Sequence, residues 1–358
     1  MRLSKIAFTM LLSSWFVTGC GTDRFEASNK AEGNNTTNAI GGSQVSGNGT
    51  TSGNIASALY NRKSRIADVM ADPVFGSNGR LLFPVQRGYW SGETLEQLRL
   101  TYYNYIDPDE TVAIVNYLHN QAAAGKTVFY DIYTDEEKAA DPRKQDTGLF
   151  FFRGNSGARF AVCNAGGAFA YVGAMHDSFP HALELSKKGY NAFALIYRPG
   201  AQTACEDLAR AISFIFAHKD ELGVNTDCYS LWGGSAGGRM AAWVSGYGTA
   251  AFGGDNLPKA GAAIIQYTGL NDYSRDDVPT YACVGSSDGI ASWRTMKARL
   301  DGLASLGIPT EFHVYEGLPH GFGLGTGTVA EGWIDDAVKF WEKQMSDDNT
   351  TGIKPVYK

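Results

Sequence analysis

Two strings in the chain, G-G-S-A-G from Gly233 to Gly237 and G-S-S-D-G from Gly285 to Gly289, have the G-x-S-x-G form that presents a serine hydroxyl on a strand-to-helix turn. In a chain with 43 glycines among 358 residues the form alone carries little weight, so the neighbourhood must decide. A serine attacks a carbonyl only when a base takes its proton and an acid orients that base. Ser235 has both downstream, each at the end of its own apolar run: Asp288 after T-Y-A-C-V, and His320 in G-L-P-H-G-F-G after T-E-F-H-V-Y. Ser287 has no acid at a separate run end before His320, so the second string reads as the source of Asp288.

The alternatives narrow quickly. Of six histidines only His313 and His320 follow Asp288; His313 lies inside a strand pattern and reads as packed or surface, whereas glycines flank His320. Asp272, Asp276 and Asp277 follow the preceding run and are the rivals of Asp288. A developing oxyanion needs backbone donors, and the run R-F-A-V-C is followed by Asn164-Ala165-Gly166-Gly167-Ala168-Phe169. The N–H groups of Gly167 and Ala168, joined by that of Ala236, are the candidate oxyanion hole. The Cβ of Ala168 restricts φ and narrows the floor of the acyl site. His176 and His181 follow the donor loop and could line the pocket, but read rather as helix-entry and surface residues. Gly325 to Ala330 fits G-x-G-x-x-A, but no βαβ unit follows, which argues against a dinucleotide site.

These residues need a scaffold that brings run ends together. From Val128 onward short apolar runs alternate with longer helical patterns, and the later runs are continuously apolar, as for strands covered on both faces. The pattern predicts an α/β fold with a mostly parallel eight-stranded sheet and helices on both faces over residues 126–346, followed by a tail, 347–358. In such sheets ligands sit at the carboxyl ends of the strands. Residues 55–125 read as a mostly helical extension, with one helix started by Asp107-Pro108-Asp109 and closed by Gly125. Tyr102, Tyr103 and Tyr105 precede it and read as packing aromatics. Phe169, Tyr171, Trp232 and Trp293 are aromatics that could shape the site.

The N-terminus differs in kind. Arg2 and Lys5 precede an apolar run over residues 6–17, the length of an export-signal core and too short to span a bilayer. It ends in Val17-Thr18-Gly19-Cys20, which resembles the lipobox of bacterial lipoproteins; that resemblance implies a signal peptide over 1–19, lipid attachment at Cys20 and an envelope location on a membrane. Residues 28–54 are mostly Gly, Asn, Ser and Thr, too polar to offset their ordering entropy, and predict a flexible tether over 20–54. Such a tether would span on the order of 30 to 35 Å. Cys163, Cys205, Cys228 and Cys283 match no metal or redox spacing and read as buried thiols. A net charge of -6 without a dense basic run excludes nucleic acid as an expected partner.

The serine turn G-G-S-A-G-G, the acid turn V-G-S-S-D-G and the histidine loop P-H-G-F-G together resemble the α/β-hydrolase fold, and within it bacterial esterases similar to xylan and feruloyl esterases and, more distantly, hormone-sensitive-lipase-like esterases. These families carry a G-G-G run where this chain has Gly166-Gly167-Ala168. The resemblance implies a serine carboxylic-ester hydrolase without metal or organic cofactor, acting on short acyl or feruloyl esters, on a small ester or an acylated carbohydrate. Two alternatives stand beside it. A prolyl-oligopeptidase-like peptidase would need a propeller that about 70 residues between tether and sheet cannot supply. An inactive surface binding protein on the same scaffold has only the altered oxyanion loop in its favour.

Overall fold

The eight apolar runs form eight strands of one sheet in the computed structural model, which describes residues 59–351. The strands are β1 Phe129–Asp131, β2 Gly148–Phe152, β3 Arg159–Asn164, β4 Asn191–Ile196, β5 Asn225–Gly234, β6 Ala262–Gln266, β7 Thr280–Gly285 and β8 Thr310–Tyr315. Their order across the sheet is β8-β7-β6-β5-β3-β4-β2-β1. Only β2 runs against its neighbours, β1 and β4; every other pairing is parallel. Every residue of β2, β4, β6 and β7 is buried, which requires cover on both faces, while the edge strands β1 and β8 are partly exposed. This order and cover define the α/β-hydrolase fold.

Parallel pairing has a direct consequence for the site. Register joins Asn164 to Gly233, Gly234 to Gln266, Gln266 to Cys283 and Gly285 to Tyr315, so five strands deliver their carboxyl ends to one rim. Helices fill the crossovers: α1 Pro108–Ala123 before the sheet, then α2 Phe179–Lys187, α3 Ala201–Ala217, α4 Ala236–Tyr247, α5 Trp293–Ser305 and α6 Trp333–Thr351. The last helix starts four residues later than the sequence pattern from Val329 suggests and runs into the segment expected to be a tail. Gly325, Gly327 and Gly332, all at positive φ, hold the chain in turns until Trp333.

The extension packs into the same compact unit as the sheet. Asp107 caps α1 as expected, accepting from the N–H groups of Asp109 and Glu110. The rest of the extension is less helical than predicted. It holds a short helix Ile66–Met70, 3-10 turns at Pro73–Leu82 and Leu95–Gln97, and a ladder of Trp90–Ser91 with Arg99–Leu100. Of the three tyrosines before α1 only Tyr103 is packed inside; Tyr102 and Tyr105 are 49% and 63% exposed. Cys163, Cys205 and Cys283 are buried, as expected, whereas Cys228, near the start of β5, is only half-buried. The signal segment, Cys20 and the tether lie outside the described residues.

Candidate active site

Ser235 stands at the joint between β5 and α4, with φ 52° and ψ −119°. That backbone region is sparsely populated for a residue with a side chain and costs on the order of 1–3 kcal/mol, which the surrounding packing must offset. The flanking glycines show how. A Cβ on Gly237 would lie 2.0 Å from the carbonyl oxygen of Asn164, and one on Gly233 would lie 2.3 Å from the backbone of Gly237. Strand, turn and helix therefore touch backbone to backbone. The N–H of Ser235 donates to the carbonyl of Gln266 at 3.0 Å, tying the turn to the end of β6.

Ser235 and the two residues expected downstream of it converge. His320 Nε2 lies 3.0 Å from Ser235 Oγ, and His320 Nδ1 lies 2.8 Å from Asp288 Oδ2. The other carboxylate oxygen of Asp288 accepts from the N–H groups of Ile290 and Ala291 at 2.8 and 2.7 Å. These bonds fix the side chain, which is fully buried. With Nδ1 facing a carboxylate it is the donor nitrogen, which leaves Nε2 to accept from the hydroxyl.

The rivals are elsewhere. Asp277 pairs with the buried guanidinium of Arg299 at 2.6 Å, and Asp272 accepts from Trp243 Nε1. Asp276 lies in the same loop and is exposed. His313 stays in β8, beside Tyr281 and bonded to Glu311.

The candidate donor loop follows β3. Gly167 adopts φ 124°, Ala168 φ 56° and Phe169 φ 57°, and Gly200 N–H ties the carbonyl of Phe169 to the start of α3. Ala168 thus takes the left-handed conformation despite its Cβ, a cost of about 1–2 kcal/mol. A Cβ on Gly166 would lie 2.8 Å from Ser235 Cβ, so the loop is pressed against the nucleophile turn. Ala236 is the first residue of α4, where an N–H has no acceptor one turn back within the helix.

Other assignments need correction. His176 and His181 are not surface residues: they are 6% and 3% exposed. His176 Nε2 meets the carbonyl of Gly321 and His181 Nε2 meets Gln266 Oε1, both at 2.8 Å. Burial lowers both pKa values, that of His181 to about 4, so both rings are neutral structural bridges behind the rim. Gln266 in turn donates to the carbonyl of Gly323. Trp232 packs against Trp333 and Trp341 in the core, away from the rim. Phe169 is half-buried and stacks on Trp243, 6.3 Å away and nearly parallel. Tyr171 is buried against Tyr89, and Trp293 lies half-buried under Arg294.

Sequence reasoning missed Asp177. It is 1% exposed and accepts from Gly166 N–H, Tyr103 O–H and Tyr267 O–H. A Cβ on Gly234 would lie 2.5 Å from its carboxylate, so Gly234 is glycine because of Asp177 and not merely to keep the hydroxyl open. Its one signal in the sequence was an acid shortly after the donor loop, indistinguishable there from a helix-start residue.

The fold is that of α/β-hydrolases, and comparison with known proteins agrees. Residues 154–265, which hold β3 to β6 with the donor loop and Ser235, match the BD-FAE family model. No curated protein matches the chain. Among solved structures, the chain is similar to an acetyl ester-xyloside bifunctional hydrolase from Caldicellulosiruptor lactoaceticus, with 18% identity over 60% of this chain and 95% of the other and a TM-score of 0.52. The carboxylesterase Cest-2923 from Lactobacillus plantarum matches at 16% identity, covering 56% and 92% of the two chains, with a TM-score of 0.49. Esterase 2 from Thermogutta terrifontis matches at 17% identity, covering 63% and 96%, with a TM-score of 0.48.

Proposed function

We propose that the chain is a serine carboxylic-ester hydrolase in which Ser235 is the nucleophile, His320 the general base and acid, and Asp288 the residue that orients His320. The observation that carries this reading is the unbroken relay from Asp288 Oδ2 through both ring nitrogens of His320 to Ser235 Oγ. Ser235 Oγ attacks the ester carbonyl as its proton passes to His320 Nε2, and the carbonyl oxygen takes the negative charge. The N–H groups of Gly167, Ala168 and Ala236 hold that charge. Collapse breaks the bond to the alcohol oxygen, which takes the proton from His320 and leaves an acyl-Ser235 ester. Water, deprotonated by His320, then releases the acid and restores the hydroxyl.

Within this reading the substrates are short acyl or feruloyl esters, including those carried by carbohydrate. The BD-FAE match and the likeness to an acetyl ester-xyloside bifunctional hydrolase make acetylated xylo-oligosaccharide the first substrate to test. The lipobox-like Val17-Thr18-Gly19-Cys20 supports an envelope enzyme held to a membrane through a lipid on Cys20. Among the described residues no helix is long and apolar enough to cross a membrane. Labelling of the expressed protein with radioactive palmitate, lost in Cys20→Ser, tests the anchor.

Hydrolysis of p-nitrophenyl acetate and labelling of Ser235 by a fluorophosphonate test the chemistry. Absence of both, or labelling that persists in Ser235→Ala, would overturn it.

A further inference from the structure

Tyr103 belongs to the extension, yet its side chain lies among the loops of the rim. It is 7% exposed between two largely exposed tyrosines. Three glycines from separate turns make its slot. A Cβ on Gly166 would lie 2.5 Å from Tyr103 Oη, one on Gly173 3.0 Å from Cε2, and one on Gly321 2.7 Å from Cδ1. Gly166 immediately precedes the donor Gly167, and Gly321 immediately follows His320. One aromatic ring therefore spaces the candidate oxyanion loop from the histidine loop. A Cβ at Gly166 or Gly321 would collide with the ring, and one at Gly173 would press tightly on it.

The polar end of the ring joins the same two loops again. Tyr103 O–H donates to Asp177 Oδ2 at 2.9 Å, and Gly166 N–H donates to that same oxygen at 2.8 Å. Burial pushes the hydroxyl well above the usual tyrosine pKa, so it remains a donor. The other oxygen of Asp177 accepts from Tyr267 O–H, and Tyr267 Oη accepts from Gly323 N–H in the histidine loop at 3.2 Å. The Tyr267 ring also lies edge-on to His320, with centroids 5.0 Å apart. The Tyr103 ring packs 4.7 Å from that of His176, which holds the carbonyl of Gly321. A buried carboxylate without a cationic partner is thus satisfied by three donors that come from the donor loop, the turn after β6 and the extension.

We propose that Tyr103 is a positioning residue for ester hydrolysis: from outside the sheet it sets the spacing between the oxyanion donors and His320. It touches neither the serine nor a substrate, and the proposal rests on the assignment of Ser235, His320 and the donor loop made above. Transition-state stabilisation by fixed donors depends on their placement, and a displacement near 1 Å costs on the order of 100-fold.

Tyr103→Phe keeps the ring in its slot and removes one donor to Asp177. It should lower kcat for p-nitrophenyl acetate by about 10-fold, with KM within about twofold and a modestly lowered Tm, since the buried carboxylate loses one of its three donors. Tyr103→Gly should lose about 100-fold or more, and p-cresol, which restores ring and hydroxyl together, should recover more activity than toluene. An unchanged kcat in Tyr103→Phe would overturn the proposal. So would a loss in Tyr103→Gly that follows only the unfolded fraction and is indifferent to p-cresol. Fluorophosphonate labelling of the parent separates the two readings: a parent that does not label at Ser235 sinks the triad assignment, whereas a labelled parent with an unaffected Tyr103→Phe sinks only the positioning role.

Discussion

The strings G-G-S-A-G and G-S-S-D-G end neighbouring parts of the same sheet, one after β5 and the other after β7, yet they fold to different ends. In the first, the central serine is forced to φ 52°, and a Cβ on Gly233, Gly234 or Gly237 would collide with backbone or with Asp177. In the second, Gly285 is just as tightly packed, an added Cβ lying 2.0 Å from the carbonyl oxygen of Leu318, but Gly289 has nothing within 4 Å of an added Cβ, and Ser287 is exposed, with its N–H bonded to the carbonyl of Leu318. The residue of this string that meets His320 is the aspartate, held by two N–H groups of its own turn. The Ser235 turn differs in having its glycines packed on both sides of a serine held at positive φ, whereas the Asp288 turn is packed on one side only. That packing is what resists relaxation of the unfavourable serine backbone.

The sharpest break of the comparison is Ser235→Ala against Ser287→Ala. The former should reduce kcat for p-nitrophenyl acetate by about 10⁴-fold or more, and the latter should leave it within about twofold. Asp288→Asn should come next, lowering kcat by roughly 10³- to 10⁴-fold, because an amide no longer fixes the imidazole tautomer. Asp277→Asn should instead lower Tm through Arg299 while kcat per folded molecule is kept; equal kinetic losses for the two would reassign the acid.

Stability offers a third contrast. Gly234→Ala should destabilise by about 1–3 kcal/mol in urea melts, since its methyl meets the Asp177 carboxylate, while Gly289→Ala should be neutral. A fourth test uses pH. The folded-state pKa of His181 lies near 4, below its usual 6.5, so the unfolded chain binds the extra proton between these values. The contribution is complete above about pH 6.5 and is lost as pH falls toward 4. Tm should therefore decline across that window, and less steeply in His181→Asn. The smallest effect is expected for Ala168→Gly, which relieves a left-handed backbone but frees the unfolded chain, for a net change within about 1 kcal/mol.

Much of this arrangement was legible in the chain because it is local. Each of the eight strands announces itself by a short apolar run, and the cap at Asp107 by its proline and acids. Ser235, Asp288 and His320 could be singled out because each follows a run directly, and parallel pairing must then bring the run ends to one rim. Ala168 was visible as a departure, but not its adoption of φ 56°. The burial of His176 and His181 was not legible, because their partners, Gly321 and Gln266, lie 145 and 85 residues away.

The sequence by itself determined the strands, the elbow glycines and the residue types at the strand ends, since periodicity and turn chemistry act over a few neighbouring residues. Only the tertiary structure decided that Asp177 lies beneath the elbow, with donors from Tyr103, 74 residues before it, and Tyr267, 90 residues after. A buried carboxylate leaves no periodic trace, and the donors that satisfy it need only be near in space. The Tyr103 ring in turn leaves no room for a Cβ at Gly166 or Gly321, ordinary turn residues on paper.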